Sequence, residues 1–408
     1  GEVYLKAGKH DLEIHYYNGA SGGVVSFQWF NTDLGNFEVV PESMLSVSPE
    51  DYEEVKPYID AGKLVKSIPG DQQWLAGIHP SFDLFQARPD DFKPRVGGID
   101  FLNEDQMLVC TWDSLGPVYL VENFRSENPE EITVKRIATG LAEPLGIKVV
   151  DGEIYVLQKQ ELTKLVDTDG DMIIDEYLTV ADDWTVSSNF HEFSFGLVYK
   201  EGYFYGALAT DILPGGASAN PQPKDRGKLA KISKETGEVE FIASGLRTPN
   251  GIGIGVDGEI FVADNQGDWL PASKINHVRK GAWYGSRSVD FEGTEGLVQD
   301  EPVVWLPQDE IGNSPSTPLY LDKGPYAGQM IHCEVTHGGV KRVFVEEVND
   351  NYQGVVFRFS QGIEAGVNRL AWAPDGSLLV GGIGVSGNWG QTGKLNYGLQ
   401  RMVYNSKS

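Results

Sequence analysis

Cysteine is nearly absent: Cys110 and Cys333 are the only two in 408 residues. They could form one bridge or none, and no disulfide framework can be read from them. The chain has no CxxCH and no paired CxxC, which removes covalent c-type haem and the common zinc ribbons. No apolar run is long enough to cross a membrane as a helix. Basic residues are scarce as well, 33 Lys and Arg against 59 Asp and Glu, a formal charge of −26. Such a surface repels phosphate backbones and anionic lipid, so nucleic acid is not an expected partner. The first residues, GEVYLKAG, hold neither an initiating Met nor a signal peptide. We therefore expect a longer precursor, with other domains, that was processed or cut. The acid excess suits a secreted or cell-surface setting exposed to salt and divalent cations.

What the chain does have is hairpins. Residues 1–47 read as short strands (GEVYLKAG, HDLEIHYYN, VVSFQWFN, FEVVPESML) separated by turn clusters. Residues 48–93 are acidic and then rich in Pro and aromatics, a linker expected to pack on its neighbour. From residue 94 to 408 one phrase recurs: apolar strand, tight polar turn, apolar strand, longer polar loop. Its instances are VGGIDFLNEDQMLVCTWD, PLGIKVVDGEIYVLQK, SFGLVYKEGYFYGALA, PNGIGIGVDGEIFVAD, a weaker PLYLDKGPYAGQMIHCEV, and VNRLAWAPDGSLLVGGIG. Six hairpins at roughly fifty-residue spacing predict an all-β fold, a six-bladed β-propeller preceded by a small N-terminal β unit.

Three patterns carry chemistry. In Asp167-Thr168-Asp169-Gly170-Asp171-Met172-Ile173-Ile174-Asp175, carboxylates at alternate positions of a tight loop supply the oxygen set a hard cation requires. Asp167, Asp169, Asp171 and Asp175, with the Ile173 carbonyl, are the expected calcium ligands. The Glu that would close an EF-hand loop is missing, since Leu178 stands there, so the site is expected to staple a blade corner. Next, His191 stands at the entry of one blade hairpin and Arg247 at the corresponding edge of the following blade. Together they would set a proton acceptor beside a fixed cation at the mouth. Lys341, Arg342 and Arg369 add cations suited to ligand carboxylates. The loops around Trp269, Trp283 and Trp389 offer flat faces suited to sugar rings or a planar cofactor.

Around Gly245-Leu246-Arg247-Thr248-Pro249-Asn250-Gly251, residues 94–405 resemble the soluble glucose dehydrogenase and sorbosone dehydrogenase superfamily, whose turn reads Gly-x-Arg-Asn-Pro-x-Gly. Here Thr248 replaces the asparagine. The resemblance implies a six-bladed propeller that binds pyrroloquinoline quinone (PQQ) and calcium and oxidises sugars. It further implies His191 as the base that takes a hydroxyl proton and Arg247 as the group that polarises the quinone carbonyl. Asn250, Lys341 and Arg369 are the implied cofactor-binding residues. Residues 1–47, through Lys6–Ile14, Ser26–Trp29 and Val40–Leu45, resemble the closing strands of a PA14 domain, and the combination resembles large multidomain secreted bacterial proteins. Two other functions fit the same mouth: a non-redox carbohydrate-binding or scaffold propeller, and a sugar hydrolase or lyase using Glu192 or Asp264.

Overall fold

The computed structural model describes residues 77–308, 310–384 and 394–407, with short pieces before residue 77. The chain divides into two units, Gly1–Trp74 and Leu75–Ser408. In the first, β1 (Gln28–Asn31) and β2 (Asn36–Val39) form an antiparallel hairpin; β1 lies within one strand stretch expected there and β2 starts one residue before another. The other two lie outside the described residues. In the sequence expected to be a linker, positions 49, 50, 52, 53 and 56 are helical.

The second unit is a six-bladed propeller of four-stranded antiparallel sheets. β3 (Phe82–Gln86) comes first in sequence. Blade one is β4 (Val96–Phe101), β5 (Gln106–Thr111), β6 (Val118–Glu122) and β7 (Thr133–Ala138), and blade two is β8 (Gly146–Val150), β9 (Glu153–Leu157), β10 (Leu162–Val166) and β11 (Glu176–Ala181). Blade three is β12 (Ser194–Lys200), β13 (Tyr203–Leu208), β14 (Lys228–Ser233) and β15 (Val239–Ala243), and blade four is β16 (Gly251–Ile254), β17 (Ile260–Asp264), β18 (Ser273–His277) and β19 (Val304–Leu306). Blade five is β20 (Pro315–Tyr320), β21 (Met330–Glu334), β22 (Val340–Val348) and β23 (Asn351–Ser360). Blade six is β24 (Gly366–Trp372), β25 (Leu378–Ile383), β26 (Tyr397–Tyr404) and, as its outermost strand, β3.

Each repeated hairpin of the sequence is the inner strand pair of one blade. The Asp151-Gly152 and Glu201-Gly202 turns have φ positive at both residues, the turn that matches strand twist in a two-residue hairpin. Innermost strands pack side by side around the axis, from β4 through β24 and back to β4. Glycine permits that approach: a Cβ on Gly251 would lie 1.9 Å from the Thr317 nitrogen. A hydrophobic core fills each space between blades, such as Val156, Ile147 and Leu120 between blades one and two. The expected linker contributes structure here. Its Phe82–Gln86 segment pairs with β26 through Leu84 opposite Met402, so the circle is closed by joining the start of this unit to its end.

Candidate active site

The propeller axis is filled by Arg369. From β24 its Nε donates to the Gly97 carbonyl at 2.7 Å, Nη2 to the Leu145 carbonyl at 2.9 Å, and Nη1 to Asn250 and Ser316 Oγ at 2.9 and 2.8 Å. Those acceptors belong to blades one, two, four and five or to the loops that enter them. Burial holds the guanidinium pKa down at about 10, and the group is spent on protein oxygens. Asn250 is spent with it: its Nδ2 donates to Asn368 Oδ1 at 3.0 Å. Two of the three residues implied as cofactor contacts, Arg369 and Asn250, thus form the central tie of the fold.

Lys341 lies on β22, the third strand of its blade, and is almost fully buried. Its Nζ donates to the Gly338 carbonyl at 2.9 Å, and burial lowers its pKa to about 8 against the opposing pull of Glu334. Glu334 ends β21 and accepts the Ser314 and Asn313 N–H groups at 2.7 and 3.0 Å. Blade four repeats the device with Lys274 on β18 and Asp264 ending β17. Lys341 is therefore the counterpart of Lys274, a cation inside a blade beside a carboxylate that holds a loop.

His191 and Arg247, in contrast, are brought together. His191 lies in the loop before β12 and Arg247 in the loop before β16, and both are buried. Thr210 connects them. Its carbonyl lies 3.0 Å from His191 Nδ1, while its own N–H and hydroxyl donate to the Arg247 carbonyl at 2.9 and 3.1 Å. A carbonyl can only accept, so Nδ1 carries the proton and Nε2 bears the lone pair. The Thr248 hydroxyl sits between the two, 3.4 Å from His191 Nε2 and 3.3 Å from Arg247 Nη1. Burial, reinforced by the Arg247 charge, lowers the His191 pKa to about 4, so the imidazole is neutral at ordinary pH.

Asp264 holds the turn that carries this arrangement. Fully buried, it accepts the Arg247 N–H at 3.1 Å and the Thr248 N–H at 2.8 Å, and burial pushes its pKa up to about 6. Arg247 Nη2 donates to the Gly216 carbonyl at 2.6 Å, and its Nε is buried without a hydrogen-bond partner, 4.0 Å from Asp268. Gly267, at φ 137°, packs on the guanidinium so tightly that a Cβ there would lie 2.3 Å from Cζ. The Ser218 N–H and hydroxyl both bond Asp268, which fastens the 212–218 hairpin to the same loop.

Glu192 is fully buried and paired with Arg226 at 3.2 Å. Arg226 also donates to the Thr185 and Phe193 carbonyls. Like Asp264, Glu192 is enclosed by its partners and ties loops together. Among the expected calcium ligands, Asp167, Asp169 and Asp175 bring carboxylate oxygens within 4.8 Å of one another in the loop joining β10 to β11. Asp171 is turned aside, its Oδ1 accepting the Ile173 N–H at 2.7 Å. Backbone N–H donors, Met172 foremost, keep the Asp167 pKa low, and Thr168 does so for Asp175. Cys110 and Cys333 are both free and buried.

Sequence reasoning missed Thr210, Arg226 and Asp268. Nothing in their spacing marks them, because their partners come from other loops. No protein-family model matches the chain, and no curated protein matches it. Solved structures do. A glucose dehydrogenase-type oxidoreductase from Thermus thermophilus superposes with a TM-score of 0.59 at 15% identity, over 79% of this chain and 100% of its own. The PQQ-bound aldose sugar dehydrogenase of Streptomyces coelicolor gives 0.56 at 14%, over 79% and 99%. A Trichoderma reesei family AA12 carbohydrate-active enzyme, in its calcium structure, gives 0.57 at 11%, over 82% and 99%. At these identities the likeness is one of fold.

Proposed function

We propose that this propeller is a secreted, quinone-dependent carbohydrate dehydrogenase with His191 as its base. The observation that carries the reading is the meeting of a neutral imidazole and a guanidinium at one buried hydroxyl, with His191 Nε2 and Arg247 Nη1 both within 3.4 Å of Thr248 Oγ1. The likeness in fold to a PQQ-bound sugar dehydrogenase supports it.

The donor chemistry fits the reacting end of such a cofactor. Arg247 has a buried Nε with no hydrogen-bond partner, a donor that an oxygen of a bound group would satisfy. Arg369, Asn250 and Lys341 are not spare in that way, so Arg247 and Thr248 are the residues assigned to hold the quinone end. A bound quinone would supply the hydride acceptor. His191 accepts the substrate hydroxyl proton at Nε2, and the Thr210 carbonyl keeps Nδ1–H fixed so that the lone pair cannot move to the other nitrogen. Asp264 holds the Arg247-Thr248 turn in place, and the Arg247 charge disfavours a cationic imidazole before substrate arrives.

Calcium at Asp167, Asp169 and Asp175 is proposed as a structural ion, since that loop joins the outer strands of blade two, away from the axis. The test of the main reading is dye reduction with a panel of aldoses after loading with PQQ and calcium. His191→Ala is expected to lose about 10²–10⁴-fold in kcat. No dye reduction with any sugar in the loaded wild type would remove the dehydrogenase reading.

A further inference from the structure

Large exposed aromatics lie next in sequence to the residues of the candidate site. Phe190, 53% exposed, precedes His191 and is in edge contact with its ring at 6.1 Å. Trp269, 46% exposed, follows Asp268, the carboxylate beside Arg247. Trp269 does not stand alone: its ring meets Phe291, 54% exposed, at 5.3 Å, and the Arg287 guanidinium lies 5.5 Å from the Trp269 ring and 4.2 Å from that of Phe291.

The chain goes out of its way to build this group. The β18–β19 connection, residues 278–303, first runs beside the loop before β16, with Ser286 N–H on the Gly245 carbonyl at 2.8 Å. It then carries Arg287 and Phe291 to Trp269 before returning to blade four. Arg287 is held in place by its Nε on Thr294 Oγ1 at 3.3 Å and its Nη2 on the Phe291 carbonyl at 2.8 Å. Packed on one another, the two rings still leave about half of their surface in water rather than in the blade. Two rings and a fixed guanidinium on the surface instead offer flat apolar faces beside directed donors. That combination suits the C–H face and hydroxyls of a pyranose.

Resting on the dehydrogenase reading of the mouth, we infer that the Trp269–Phe291–Arg287 group is a second sugar subsite, and that the substrate is an oligosaccharide rather than a free monosaccharide. One residue of the glycan is presented to His191 past Phe190, and another residue of the same chain stacks on Trp269. The acidic residues of the same loop, Asp290, Glu292 and Glu295, favour a neutral glycan over an acidic one.

The test is equilibrium titration of the full chain, without quinone, with glucose-, xylose-, mannose- and N-acetylglucosamine-based sugars of one to six residues. Tryptophan fluorescence and calorimetry are the readouts. For at least one series, affinity is expected to rise tenfold or more from monosaccharide to trisaccharide. That gain should disappear in Trp269→Ala and return in Trp269→Tyr, with the melting temperature unchanged in both. Affinity independent of chain length in every series, or a length dependence that survives Trp269→Ala, overturns the subsite. Because binding is read without turnover, length-dependent binding with no dye reduction would remove the redox reading and leave the subsite standing. Turnover of monosaccharides and oligosaccharides with equal kcat/KM would do the reverse.

Discussion

At the scale of single residues, burial sets the chemistry. His191 is held neutral by desolvation, with the Arg247 charge adding to it, and its pKa falls to about 4. The acid limb of kcat/KM should therefore lie near pH 4 and not at the ordinary histidine value near 6.5. A pH–rate profile with its limb at 6 or above would contradict that assignment. His332 reports the same physics in stability: it is fully buried on β21 and its pKa drops to about 3. Between about pH 6.5 and 3 the unfolded chain binds a proton at this group that the folded chain does not, so stability falls as pH falls through that window. A His332→Phe variant should lose less melting temperature than wild type between pH 6.5 and 4. Asp264, with its pKa pushed up to about 6, works in the opposite direction and is common to both proteins in that comparison.

His191 and Arg247 were legible in the sequence because each opens a hairpin that the repeat makes visible. The fates of Arg369 and Lys341 were not. Whether an arginine faces a ligand or seven backbone and side-chain oxygens depends on where five chain segments meet, and no local pattern encodes that. Removing the Arg369 guanidinium takes a donor from the Gly97, Leu145 and Asn250 carbonyls at once, although Leu145 keeps the Gly196 N–H, at about 1–3 kcal/mol for any buried group left unsatisfied. Arg369→Met should thus lower the urea midpoint far more than Arg287→Met, whose partners lie at the surface. Equal midpoints for the two variants would contradict the axial tie.

At the scale of elements, the hairpins followed from strand periodicity and turn chemistry, and all six inner pairs stand where the repeat places them. What periodicity could not reveal was β3, five residues in a stretch rich in Pro and aromatics, whose strand character comes from pairing with β26 more than three hundred residues away in sequence. Loops are less legible still, since the 278–303 connection has no periodicity and takes its course from contacts with Gly245 and Trp269. The 167–175 loop is an intermediate case, in which the spacing of acids predicts a cluster and three of the four carboxylates form one. Calcium should raise the melting temperature by several degrees, through its preference for the folded loop. Asp167→Asn should abolish that response, read as the difference between calcium and chelator for each protein, because the variant also loses one acceptor for the Gly170 and Met172 N–H groups. A calcium response that persists in the variant would move the ion elsewhere.

At the scale of the whole molecule, a closed ring shares its stability among the inter-blade cores, and the ring is joined at the seam where the sixth blade is completed by β3. A chain beginning at residue 90 lacks that strand and leaves the β26 edge unpaired, with Phe82 and Leu84 gone from the adjoining core. It should melt lower and aggregate more than a chain beginning at residue 77. Equal melting would mean that the seam carries little. The charge of −26 also acts on the whole, favouring neutral or cationic ligands over anionic ones approaching from solution. An anionic quinone of the kind proposed would therefore depend on local contacts, of which Arg247 is the residue assigned to hold its quinone end.

The most direct test of that assignment is a calorimetric titration of the calcium-loaded protein with pyrroloquinoline quinone, wild type against Arg247→Ala. Saturable binding to wild type is expected to weaken at least tenfold in the variant, with the melting curve showing that the variant remains folded. Saturable binding of equal strength to both proteins, or none to wild type, would contradict the assignment.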